Sequence, residues 1–148
     1  MAKVRRFEDL QCWQKGRLLA NAVYDLTCHS NFAHDFNLNG QIRGAAGSVM
    51  HNIAEGYDSG TDPEFTRFLK MARRSASEVQ SELYLALDRK YITEPELQST
   101  YLLADEAKRL INGLIAYLKK SKASVSPPDQ IREGPQLYEI VSEGLPDQ

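Results

Sequence analysis

With 148 residues, 42% of them hydrophobic and 26% charged, the chain has the size of one self-sufficient domain, which at that length buries roughly 68–70% of its unfolded surface without disulfide or metal staples. Its longest apolar runs are a few residues, too short for a membrane span of about 20 or a signal peptide's apolar stretch of about 7–15, so a cytoplasmic protein is expected. The net charge of −2 argues against an obligate nucleic-acid binder, yet it is unevenly placed: 17 Lys and Arg stand against 15 Asp and Glu up to Lys122, and 1 against 5 from Ala123 onward.

The first helix is predicted from about Glu8 to Cys28, with Glu8 and Asp9 at the end where the helix dipole favours acid. Cys12, Gly16, Leu19, Val23 and Leu26 recur at spacings of 4, 3, 4 and 3, which makes one helical stripe. Cys12 and Cys28 lie sixteen positions apart on that helix, about 24 Å at ~1.5 Å per residue, and cannot bridge each other. Lacking a C-x-x-C pair, they read as buried thiols of a reducing compartment rather than a redox or metal site. His29 to Asn39 reads as a connection that Phe32 and Phe36 pin to the core.

A second helix begins between Asp35 and Asn39 and reaches about Tyr57, with Leu38, Ile42, Ala45, Val49, Ile53 and Tyr57 on one face. Its small residues, Gly44 to Ser48, permit close approach of a neighbour at a cost of about 1 kcal/mol per glycine in helix propensity. The third helix opens with Asp62 as N-cap, Pro63 at the first helical position and Glu64 beside the dipole. Phe65, Leu69, Ala72, Ala76, Val79, Leu83 and Leu87 then form a bundle-type seam up to about Arg89 or Lys90. Thr93 and Glu96 have capping-box spacing at the start of the fourth helix. Its apolar positions, among them Leu103, Leu110, Leu114 and Tyr117, span an arc of about 200°, twice the ~100° that one core needs. The surplus is read as an oligomer interface, with a more enclosed helix as the alternative. From residue 123 a Pro-containing acidic tail is expected, in which Leu137, Tyr138, Ile140 and Val141 have the pattern of one short amphipathic turn.

No phosphate-cradling glycine loop, nucleophile elbow or metal-binding motif is present in the sequence, and His29, His34 and His51 lack the spacing that aims two imidazoles at one metal. No cofactor is therefore expected. Gln41, Ser48, Asn52 and Glu55 share one side of the second helix, which suits a hydrogen-bond network between helices better than a catalytic centre, since a single carboxylate lacks an acid–base partner. The most suggestive cluster is on the third helix, where Arg67, Lys70 and Arg74 fall within about 60° of one another on the exposed side, with Arg73 nearby. Such a stripe can track a phosphate backbone. Glu78 and Glu82, following at intervals of one turn, offer a competing explanation through intrahelical ion pairs. Arg43 adds a cation on the second helix, and Lys3, Arg5 and Arg6 a short basic arm before the first.

Three segments carry a resemblance: Phe7-Glu8-Asp9-Leu10 with Trp13-Gln14-Lys15; Gln41-Ile42-Arg43 through Ala45-Ala46 and Ser48 to Asn52-Ile53-Ala54-Glu55-Gly56; and Phe65 to Phe68-Leu69, Ala72, Ser75 and Glu78. Together they resemble the four-helix-bundle proteins encoded within intervening sequences of bacterial 23S ribosomal RNA genes, over about residues 7–120. The resemblance implies an antiparallel up-and-down four-helix bundle assembled as a ring-like homopentamer. It further implies kinship with accessory proteins of diversity-generating retroelements, where a basic outer surface engages nucleic acid and a reverse transcriptase. It supplies no catalytic residues. Gly44 stands where the family usually has a second arginine, and Arg74 where a small residue is common. The reading that results is a non-enzymatic oligomer that binds structured RNA or DNA weakly through Arg67, Lys70, Arg73 and Arg74, assisted by Arg43 and the N-terminal arm. A scaffold that presents its tail or fourth-helix surface to a partner enzyme is the alternative.

Overall fold

The computed structural model describes residues 4–123; Lys3 and the acidic segment from 124 onward lie outside the described residues. A 3-10 turn at Phe7–Asp9 precedes five helices: α1 (Gln11–Thr27), α2 (Ser30–His34), α3 (Phe36–Tyr57), α4 (Asp62–Asp88) and α5 (Glu94–Ala123). No strand occurs among the described residues.

The helix boundaries follow from local chemistry. Glu8 and Asp9 belong to the 3-10 turn and not to α1, because Val4 and Leu10 are both buried and the backbone amide of Arg5 donates to Asp9 Oδ2 at 3.0 Å, closing the chain into a turn. The backbone of Arg5 is thereby tied to this turn. Ser30 to His34, expected to be plain connection, coil into the short α2 because Phe32 is fully buried and stacks on Tyr91 with ring centroids 5.2 Å apart. Phe36, the other aromatic expected to pin this segment, is 80% exposed. Asp35 caps α3 by accepting from the Leu38 amide and also accepts from the Tyr91 hydroxyl at 2.9 Å.

The N-cap of α4 is Thr61, whose hydroxyl accepts from the Glu64 amide, so Asp62 moves one place into the helix. The α4 terminus is a Schellman closure, with Lys90 N–H bonded to Leu87 O and Tyr91 N–H to Ala86 O, both at 2.9 Å, and Lys90 in the left-handed region at φ 63°. The capping box at Thr93 forms: Thr93 N–H donates to Glu96 Oε1 at 2.8 Å, and Glu96 N–H donates to the Thr93 hydroxyl at 3.3 Å.

Each long helix packs on two others, α1 on α3 and α5, α4 on α3 and α5. Contacts between distant residues fix the directions. Gly16 meets Val49 and Met50, Ser75 Oγ lies 3.0 Å from Ser48 Oγ, and Arg73 and Gln80 reach Asn112 and Asp105, respectively. Between α4 and α5 the contacts run Arg73–Asn112 and Gln80–Asp105, between α3 and α4 they run Ser48–Ser75 and Gly56–Phe65, and between α1 and α3 they run Gly16–Val49 and Thr27–Arg43; in each helix pair one number rises as the other falls, so these neighbours run antiparallel. The predicted stripes face inward: Leu19, Val23, Ile42, Val49, Ile53, Phe65, Leu69, Val79, Leu83 and Ile111 are completely buried. Each such side chain contributes about 1.5–3 kcal/mol relative to exposure.

Candidate functional site

Burial of Phe65, Leu69, Ala72, Ala76 and Val79 in the core turns the intervening positions of α4 outward. Here the four cations of the stripe part company. Arg67 is occupied: its Nε and Nη2 donate to the two carboxylate oxygens of Glu64 at 3.1 and 3.0 Å, its guanidinium lies 4.6 Å from the Phe68 ring centroid, and Nη1 approaches Met71 Sδ at 3.6 Å. The hydrogen bonds from Arg67 hold the Glu64 carboxyl below its usual range. Lys70, Arg73 and Arg74 instead turn toward α5, where with Ser77 and Lys108 they line a hollow of about 430 Å³.

Within the hollow, Arg73 Nη1 donates to Asn112 Oδ1 at 2.7 Å and Lys108 Nζ to Gln80 Oε1 at 3.0 Å. Both partners are neutral amides. Lys70 and Arg74 have no carboxylate within ion-pair distance among the described residues, unlike Arg6, Lys15 and Arg67, which pair with Glu8, Glu106 and Glu64. The intrahelical pairing expected of Arg74 with Glu78 is not formed. The charge of Glu78 acts instead on Glu82, whose carboxyl is pushed up to about 7, first by burial and then by Glu78. Four positive side chains thus converge with no acid at ion-pair distance among the described residues, Asp105 standing behind Gln80, from which it accepts at 3.3 Å; such a field attracts anions and repels cations.

The remaining predicted cations sit elsewhere. Arg43 Nε donates to Thr27 Oγ1 at 2.7 Å, Nη2 reaches Cys28 Sγ at 3.7 Å, and the guanidinium lies 4.4 Å from the Tyr24 ring centroid. It borders a separate hollow of about 790 Å³ between α1 and α3, with Phe36, Gly40, Gly44 and His51 on its walls. Arg5 and Arg6 flank the 3-10 turn, which packs on α1 and α3 rather than on the α4–α5 pair. Arg43, Arg5 and Arg6 are therefore not part of the basic hollow. Of the side chains assigned to an oligomer interface, Leu114 is buried in the core, while Leu103, Leu110 and Tyr117 pack half-buried against it.

The polar side of α3 forms a network between helices, with Asn52 Nδ2 donating to Ser48 O and Oγ at 2.8 Å and Ser75 bridging from α4. Asn52 is buried and Glu55 is exposed outside this network. Cys12 is buried and its thiol pushed up to about 12 by desolvation, whereas Cys28, also expected to be buried, is exposed. Among the described residues no group of three His, Cys, Asp or Glu could hold a metal, and no helix is long and apolar enough to cross a membrane.

The pattern of the 23S rRNA-intervening sequence proteins matches residues 8–113. The chain belongs to that family. A crystal structure of a protein of unknown function from the S23 ribosomal protein family of Bacteroides thetaiotaomicron is similar to this intervening-sequence protein with a TM-score of 0.64 and 23% identity, over 70% of this chain and 97% of that one. At that identity the likeness shows a shared fold and nothing of function. No curated protein matches this intervening-sequence protein.

Lys108, which lines the hollow, and Asn112, which accepts from Arg73, carry no signal within the local pattern of this family member's sequence. Their signal is the antiparallel register. The pairs Arg73–Asn112 and Gln80–Asp105 each have residue numbers that sum to 185, a value centred near the turn at Ile92. Reflection about that turn sets Ser77 across from Lys108.

Proposed function

We propose that this protein is a non-enzymatic, self-associating up-and-down four-helix bundle that binds structured RNA or DNA weakly, and without sequence preference, through the hollow between α4 and α5. The observation that carries this reading is the convergence of Lys70, Arg73, Arg74 and Lys108 with no carboxylate at ion-pair distance among the described residues. Phosphates of a nucleic-acid backbone supply the missing negative charge, and the bound counterions they release drive association. Assembly into a ring-like homopentamer, the state that the family resemblance implies, repeats the hollow around one axis and sums its field.

Mobility-shift titrations with a structured RNA test it. Neutralising about three phosphates per protomer predicts affinity falling roughly 40-fold between about 50 and 200 mM salt. The double variant K70E/R74E is expected to abolish binding while R43E leaves it largely intact, since Arg43 lies in the other hollow. Binding that ignores salt, or is lost equally in both variants, overturns the assignment.

A second reading, a scaffold for a partner enzyme such as a reverse transcriptase, draws on Tyr84, Leu85 and Leu102, each about half exposed near the α4–α5 turn at 52, 49 and 49%. Large apolar side chains left in water at one end of a bundle suit a protein partner better than a polyanion. Replacing all three by serine removes capture of the enzyme and spares RNA binding under this reading.

A further inference from the structure

We infer that the hollow between α1 and α3 is a binding site for a small ring-bearing phosphate, a molecule of nucleoside-monophosphate size and chemistry, held at its anionic end by Arg43 and at its ring by Phe36. The site is separate from the α4–α5 hollow, and the inference does not rest on the polyanion reading above.

Arg43 is built into place. Thr27 is fully buried and its hydroxyl donates to Tyr24 O at 3.0 Å, which turns an oxygen lone pair toward Arg43 Nε at 2.7 Å. The Tyr24 ring, with its centroid 4.4 Å from Arg43 Cζ, fixes the plane of the guanidinium. The partners of Arg43 are thus a hydroxyl, a sulfur and a ring, and no carboxylate stands at ion-pair distance among the described residues. No acidic residue lines the hollow. Of the guanidinium's N–H donors, that on Nε is spent on Thr27 and Nη2 makes only a 3.7 Å approach to Cys28 Sγ, while Nη1 has no partner among the described residues. An arginine held in this way presents the open fork that two phosphate oxygens fit together, and it has little freedom left to lose on binding.

Room and aromatic surface complete the site. The hollow, at about 790 Å³, lies within the roughly 300–1,000 Å³ of small-molecule sites. Its space comes from Gly40 and Gly44, which line it and at which an added Cβ would meet nothing within 4 Å. Phe36 stands on the same wall with 80% of its surface in water. It precedes Arg43 by seven positions on α3, which places the two within about 20° of one another around the axis and about 10 Å apart along it. A mononucleotide, laid along α3 from ring to phosphate, bridges that spacing. Its planar ring covers Phe36 and removes apolar surface from water, a gain that inorganic phosphate does not offer.

Cys28 provides the readout. It is exposed, it lines the hollow and its sulfur lies 3.7 Å from Arg43 Nη2, so a ligand on Arg43 shields it from a neutral alkylating reagent. The test uses the full chain with adenosine monophosphate as the probe, following Cys28 alkylation by mass spectrometry and affinity by equilibrium dialysis. Adenosine monophosphate is expected to slow alkylation in proportion to the fraction of protein occupied, and to do so at lower concentration than inorganic phosphate or adenosine alone. Arg43→Gln is expected to weaken binding roughly 10–100-fold, and Phe36→Ser roughly tenfold. Gly44→Leu fills the hollow from its open floor, keeps every charge in place, and is expected to abolish binding with helix content unchanged by circular dichroism. K70E/R74E, altered only in the other hollow, is expected to bind as the unaltered protein does. Alkylation that ignores adenosine monophosphate overturns the site, as does binding that survives Gly44→Leu or is lost in K70E/R74E. Inorganic phosphate as effective as the nucleotide overturns the ring contact, and adenosine as effective overturns the anion contact. None of these outcomes depends on whether the protein binds RNA.

Discussion

Glu82 illustrates how a single side chain is kept in a costly place. It is a buried carboxyl whose Oε1 finds no hydrogen-bond partner, and burial followed by the charge of Glu78 pushes it up to about 7. A carboxyl raised above its unfolded value of 4.5 binds its proton more tightly in the folded state, so this group lowers stability progressively as pH rises from about 4.5 to about 7 and by a constant amount above. Glu82→Gln is therefore expected to stabilise the protein by of order 2 kcal/mol at pH 8 and by little at pH 4, read from denaturant melts at both values. A pH-independent effect would assign the change to packing alone. The two thiols differ for a related reason. Cys28, exposed, is expected to react with a thiol reagent within minutes in native protein, and Cys12, whose thiol burial pushes up to about 12, only at the rate of unfolding. Equal labelling of both in native protein would contradict the packing of α1.

At the level of elements, close approach replaces side-chain volume where α3 meets α4. A Cβ added at Gly56 would stand 2.7 Å from Phe68 Cβ and 3.0 Å from Phe65 Cδ1, so Gly56→Ala forces the two helices apart and is expected to cost about 1–3 kcal/mol in a thermal or denaturant melt. At Gly44 nothing lies within 4 Å, and Gly44→Ala is expected to stabilise by up to about 1 kcal/mol through helix propensity. The small residues of α3 thus divide into one the fold requires and one it does not, a distinction invisible in their common composition. What could be read along the chain was local: the stripes of α1, α3 and α4 and the Thr93 capping box depend on residues within a turn or two of one another. What could not be read was tertiary. The short α2 exists because Phe32 stacks on Tyr91, 59 positions away, and the neighbours of Arg73 are set by the register of α5. Arg67, read along the chain as one of an open stripe, has two local partners, Glu64 and Phe68, at its guanidinium.

For the whole molecule, the surplus of apolar side chains on α5 is only partly surplus. Leu114 belongs to the core, and Leu103, Leu110 and Tyr117 are half covered by their own protomer, while Leu102 stands half exposed. Size exclusion coupled to light scattering is expected to give five times the protomer mass; a dilute sample with the mass of one chain would leave the summed field without a basis. The hollow itself draws three of its cations from α4 and one from α5, so an anion seated there bridges the two rods of a hairpin. Occupancy then acts as a brace: prising α5 from its partner means breaking the anion's grip as well as the apolar seam, and amide hydrogens along α5 should exchange more slowly in proportion to how full the hollow is. The rigidity of the last hairpin becomes a readout of what the protein has bound.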